Sequence, residues 1–112
     1  MATEFTQTGG FRWGAWNVTA PFAELRASRE LILIKVSFWK FWQRTFEFSR
    51  QEIKTITKFY GIFSVGILIS HTKRDYPAHI IFWTFDYKSL KEALASLDYV
   101  LDGKAKSYLD LF

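Results

Sequence analysis

Hydrophobic and polar residues alternate with a period of two along most of this chain, and that period predicts strands. Residues 11–19 form the first such run, which Ala20-Pro21 stops; residues 22–27 resume it, so a hairpin turning near Ala20 and Pro21 is expected. Ser28-Arg29 marks a second turn, and residues 30–36, rich in leucine, isoleucine and valine, read as a third strand. The alternation over 44–49 places Phe46 and Phe48 on one face of a fourth. Ser49 and Glu52 have the spacing of a capping box, so one helical turn precedes a fifth strand that ends at Tyr60. The connection over 61–66 is tight, with glycines able to adopt positive φ. Val65, Ile67, Ile69 and His71 then share a face of the sixth strand, and Ile80, Phe82 and Thr84 a face of the seventh. A reverse turn through Lys73, Arg74, Asp75 and Pro77 joins them.

One stretch breaks the period. Tyr87, Leu90, Leu94, Leu97 and Leu101 recur at helical spacing while Lys88, Lys91, Glu92 and Asp98 fall on the opposite side, so an amphipathic helix follows the seventh strand. Either Asp86 or Ser89 caps its start, and Gly103 is the expected stop. Burial of each leucine stabilises by about 1.5–3 kcal/mol, which makes this helix a lid on the sheet. Residues 1–10, polar and small up to Gly9-Gly10, read as a disordered N-terminal tail, 11–103 as one domain and 104–112 as a C-terminal tail. The tail carries Tyr108, Leu109, Leu111 and Phe112; fraying, packing back and contact with a second copy all remain open for it.

Composition narrows the class. A chain of 112 residues suffices for one self-sufficient core, and 20% aromatic content suits half-buried strands. With no cysteine there is no disulfide or thiolate chemistry. The polar start has no basic, apolar leader pattern, and lysines and arginines interrupt every apolar run before it reaches the roughly 20 residues of a spanning helix. The expectation is a cytoplasmic protein, at most peripheral to a membrane. Of the net charge of +4, the segment 35–74 carries more than the total: eight lysines and arginines there face only Glu47 and Glu52.

Four segments add a resemblance: Asn17-Val-Thr-Ala-Pro-Phe-Ala23, Phe48-Ser-Arg-Gln-Glu-Ile53, Gly66-Ile-Leu-Ile-Ser-His-Thr72 and Tyr76-Pro-Ala-His-Ile-Ile-Phe-Trp-Thr84. Together with seven strands followed by a helix, they resemble small bacterial proteins of the pleckstrin-homology (PH) superfold, most of unknown function. The resemblance implies a mainly β (α+β) fold, a PH-like seven-stranded bent antiparallel barrel capped by one C-terminal helix. It also implies a scaffold that binds proteins, peptides or lipid headgroups. The first hairpin, with Arg12, Arg26 and Arg29 among Glu24 and Glu30, lacks the dense basic motif of the phosphoinositide-binding members.

The most suggestive short segment is Phe38-Trp39-Lys40-Phe41-Trp42, flanked by Lys35 and Arg44. As a loop it offers aromatics to a bilayer interface and cations to anionic headgroups; as continuous strand it puts Trp39 and Phe41 on one face and Phe38 and Trp42 on the other, with at least one pair in the core. Lys35, Phe38, Trp39, Lys40, Trp42 and Arg44 are therefore the candidate binding surface. His71, His79 and Asp75 flank one turn, but no helix or cysteine pair fixes a ligand geometry, so framework histidines are expected and no metal or other cofactor is. Glu47 and Glu52 are explained by strand alternation and capping, and no nucleophile elbow or phosphate-cradling loop is present, so no catalytic residue is assigned. Basic residues among aromatics also describe single-strand nucleic-acid platforms, but no RNA-binding motif accompanies them. The expectation is a non-catalytic interaction module that binds a protein partner or self-associates. Peripheral binding to anionic membrane surfaces through 35–44 is the alternative.

Overall fold

In a computed structural model that describes residues 4–14, 16–38 and 42–110, the chain is mainly β with one α-helix. The strands are β1 (Phe5–Trp13), β2 (Trp16–Ala27), β3 (Leu31–Phe38), β4 (Trp42–Ser49), β5 (Ile53–Tyr60), β6 (Val65–His71), β7 (His79–Thr84) and β8 (Leu101–Ser107), with α1 (Tyr87–Ser96) between the last two. All eight belong to one sheet in the order β4-β3-β2-β1-β7-β6-β5-β8, antiparallel throughout except for the parallel β5/β8 pair. β4 and β8 form its edges, so the sheet is not closed into a barrel.

The first hairpin turns at Gly14, not at Ala20 and Pro21. Trp13 pairs with Trp16, and Gly14 takes φ 59, a left-handed conformation in which glycine carries no steric penalty. Pro21, which has no N–H to give a ladder, falls where the register slips and residues 19–22 oppose Gly10 alone. Nor are residues 5–10 a tail: Phe5 to Gly9 pair with Ala23 to Ala27, and Gln7 accepts the Thr84 hydroxyl (2.6 Å) and donates to the Asp86 carbonyl (3.2 Å). Gly66 lies inside β6, without positive φ. A Cβ there would collide with the Phe82 carbonyl, and one on Gly9 with the Trp83 carbonyl, so both glycines serve close backbone approach to β7.

The inner face of the sheet holds the main core, in which Phe11, Leu25, Ile34, Phe46, Phe48, Ile67, Ile69 and Phe82 join Leu90, Leu94 and Leu97 of the helical stripe. β6 is buried on both sides, because Leu68 on the outer face packs with Phe59 and Ile81. Tyr108 covers that second cluster: its ring meets Phe59 edge-on at 5.2 Å, and Arg12 donates to its hydroxyl at 2.9 Å. Part of the expected tail is therefore β8 and a 3-10 turn at Tyr108–Asp110.

Asp86 is the N-cap of α1, accepting from the backbone N–H (3.1 Å) and hydroxyl (2.7 Å) of Ser89. The helix stops six residues before the expected Gly103 region because Asp98 adopts φ 68 and the N–H groups of Asp98 and Tyr99 return to the carbonyls of Ala95 (3.0 Å) and Leu94 (2.9 Å). That is a Schellman closure with aspartate where glycine is usual, and it frees Leu101 to enter β8. Arg50 holds the same helix end: it donates to the carbonyls of Leu97 (2.6 Å), Asp98 (2.9 Å) and Arg29 (2.6 Å) and lies 4.1 Å from the Tyr99 ring centroid.

Truncating Leu94, fully buried in the main core, to alanine should cost about 2–5 kcal/mol, read as a lower urea midpoint with an unchanged slope. The caps set the acid limb. Glu52 is held below its ordinary pKa by the Ser49 N–H and then by the Ser49 hydroxyl and Lys73; Asp86 is held down by the hydroxyl and N–H of Ser89. A lowered folded pKa contributes stability above the unfolded value and loses it as pH falls through the folded one. Stability should therefore decline below about pH 4. In a Glu52→Gln, Asp86→Asn variant the urea midpoint should start lower at neutral pH and fall less on acidification.

Candidate functional site

Two connections and the start of a strand meet at one end of the sheet. The β1–β2 turn brings Gly14 to Pro77 of the β6–β7 loop, at ordinary contact distance for a Cβ built there (3.4 Å), and the start of β4 supplies Trp42. Trp13 is buried, and the rings of Trp16 and Trp42 lie near-parallel to it, with centroids at 6.3 and 6.2 Å and planes within 17° and 12°. Phe46 supports Trp13 from below at 5.2 Å and meets Tyr76 edge-on at 5.0 Å. The Tyr76 hydroxyl accepts the Glu47 N–H at 3.2 Å, which ties the β6–β7 loop to the free edge of β4.

The outer two indoles of this stack are open to water: Trp16 is 69% and Trp42 42% exposed. Both rings contact Trp13, which is buried in the core, so part of their side-chain freedom is already spent before binding. Arg44 lies with its guanidinium 4.8 Å from the Phe46 centroid, one register step from Trp42 on the same face. Lys73 sits 5.1 Å from the Tyr76 centroid and 3.8 Å from a Glu52 carboxylate oxygen, and Arg74 is exposed in the same loop.

Of the six expected binding residues, Trp42 and Arg44 come together here. Lys35 does not join them: it alternates with buried Ile34 and Val36 and pairs across the outer face with Glu24 and Thr45. Trp39, Lys40 and the side chain of Phe38 lie outside the described residues. Trp13 and Trp16 were missed as partners of Trp42, because a hairpin placed at Pro21 leaves them in mid-strand; the Trp-Gly-Ala-Trp turn was the available signal.

His71 engages both ring nitrogens within its own loop, Nδ1 accepting the Lys73 N–H (3.1 Å) and Nε2 donating to the Pro77 carbonyl (2.7 Å). Among the described residues no three histidine, aspartate or glutamate side chains gather as a metal-ligand group. Among them, too, no helix is long and apolar enough to cross a membrane.

The stack separates a structural indole from two surface ones. Trp13→Ala should cost about 3–5 kcal/mol in urea unfolding, whereas Trp16→Ala and Trp42→Ala should each stay within about 1 kcal/mol of the parent.

No protein-family model matches the chain, and no curated protein matches it.

Proposed function

We propose that this chain is a non-catalytic interaction module on a PH-like scaffold, acting in the cytoplasm and binding a protein partner, a different chain or a second copy. The scaffold reading is supported by seven strands followed by a helix whose leucines enter the core of a bent sheet, with β8 as an addition. One observation carries the binding reading: two largely exposed indoles held near-parallel to a buried third. Clusters of fixed aromatic surface with a guanidinium at the margin have the make-up of protein-interface anchors. The hydrogen bonds of Glu52 and Asp86 to serines account for these carboxylates as caps, which supports a role without acid/base chemistry.

A second reading is favoured by the cations around the indoles. Arg44 and Arg74 make no ion pair among the described residues, and exposed tryptophans beside such groups suit an anionic membrane interface.

Peptides selected from a displayed library on the parent protein should shift the indole N–H resonances of Trp16 and Trp42, and should bind a Trp16→Ala, Trp42→Ala variant at least about tenfold more weakly. Selected peptides that bind parent and variant alike would sink the protein-binding reading at this end. Salt-sensitive co-sedimentation with phosphatidylserine vesicles, lost in the same variant, would replace it with the membrane reading.

A further inference from the structure

On the outer face, away from the indole stack, an open cleft of about 770 Å³ runs between the β5–β6 turn and residues 17–20 of β2. Its floor is Trp83, whose indole N–H donates to the Asn17 side-chain carbonyl at 2.9 Å, and Gly10, where a Cβ would stand 2.7 Å from the Val18 carbonyl. The turn beside it is closed by the Gly61 N–H on the Ser64 carbonyl (2.8 Å), which thrusts out Ile62 and Phe63. Ile62 is 79% exposed, Phe63 99% and Phe85, which follows β7 directly, 88%.

We infer that this cleft and its rim are a self-association surface, occupied by the same surface of a second copy of the chain. Projection and hollow lie in one patch: Phe63 and Phe85 stand at the margin of a cleft wide enough to take an aromatic ring. A two-fold contact needs that kind of self-complementarity, since each protomer must offer both parts at once. Charge selects the occupant further. None of the fourteen residues lining the cleft is charged, although the chain carries +4. Within the lining two copies set no like charges against each other, and the nearest cations, Arg12 and Lys58, are engaged with the rings of Tyr108 and Tyr60. Area agrees: the exposed parts of Phe63, Phe85, Ile62 and Tyr60 amount to on the order of 500 Å² per copy, taking about 150–250 Å² for an aromatic side chain. The cleft walls add to this, toward the roughly 800 Å² per partner of a stable interface. The inference gives the second-copy half of the preceding proposal a surface of its own, and it stands or falls independently of the indole stack.

Sedimentation velocity of the full chain up to about 100 µM tests it. The expected result is a dimer that Phe63→Glu and Phe85→Glu each weaken by at least about tenfold. Both side chains are nearly fully exposed, so the circular dichroism and melting temperature of these variants should match the parent, and Trp16→Ala, Trp42→Ala should still dimerise. A parent that stays monomeric throughout overturns the inference. So does a dimer indifferent to Phe63→Glu and Phe85→Glu. If the Trp16→Ala, Trp42→Ala variant alone dissociates, the contact belongs to the indole stack and this surface is not the interface. Vesicle binding by a monomeric parent, abolished by Phe63→Glu, would assign the rim to a bilayer instead.

Discussion

The close approach of two backbones to β7 is the constraint on which the architecture depends. Gly9 of β1 and Gly66 of β6 flank the Phe82–Trp83 pair, one on each side, and neither position has room for a Cβ beside the opposing carbonyl. Side chains normally hold neighbouring segments apart where a sheet coils sharply; removing them on both sides of one strand lets the sheet curve about β7. The consequences run outward in both directions. On the concave side β1–β4 and β5–β7 face a shared interior that Leu90, Leu94 and Leu97 fill, and on the convex side the Phe59, Leu68 and Ile81 cluster is left for Tyr108 to cover.

A sheet with two free edges needs its cover fixed, and here the fixing is polar. Arg50, just beyond β4, reaches three carbonyls belonging to two different connections and lies over Tyr99, whose hydroxyl in turn donates to the Ser28 carbonyl at 2.6 Å. Burial raises the Tyr99 pKa, so the phenol stays a donor well above neutrality. The helix C-terminus, the β2–β3 turn and the 3-10 turn at Arg50–Glu52 are thus joined without any hydrogen bond between β4 and β5, which occupy separate places in the sheet order. This explains how the sheet stays open yet well packed.

Strands β3 and β4 and the leucine stripe were legible because each carries its periodicity on one face, as burial shows at Ile32, Ile34, Phe46 and Phe48, and β6 and β7 because their apolar runs, buried on both faces, are bounded by turn residues. Where the reading failed, one residue type had two physical uses. Gly9-Gly10 is as consistent with a loose end as with close packing, and only the presence of β7 decides between them. Pro21 stops a ladder, but a slipped register accommodates it, so the hairpin turned seven residues earlier than the proline suggested. Leu101 continues the helical stripe on paper; the Asp98 conformation interrupts it, and left-handed aspartate leaves no pattern in the sequence. In the candidate site the same ambiguity operates: an aromatic run cannot announce which members are core, and Trp13 became the buried member through pairing across a turn that periodicity did not locate.

The distribution of exposed aromatics follows from that curvature. A strongly bent sheet buries the middles of its strands on both faces and directs their ends away from either core, so large apolar residues at strand ends and in turns keep part of their surface in water. Trp16 and Trp42 stand at one such end, and Ile62, Phe63 and Phe85 at another. The two sets differ in what holds them. The indoles lean on Trp13 with the Arg44 guanidinium on the same strand face, while the second set rims a hollow over Trp83 whose own lining is uncharged, with Arg12 and Lys58 held against its tyrosines. The same curvature thus leaves two apolar surfaces of different make-up at opposite ends of the strands, one resting on a buried indole with a guanidinium beside it and one rimming a hollow whose own lining carries no charge.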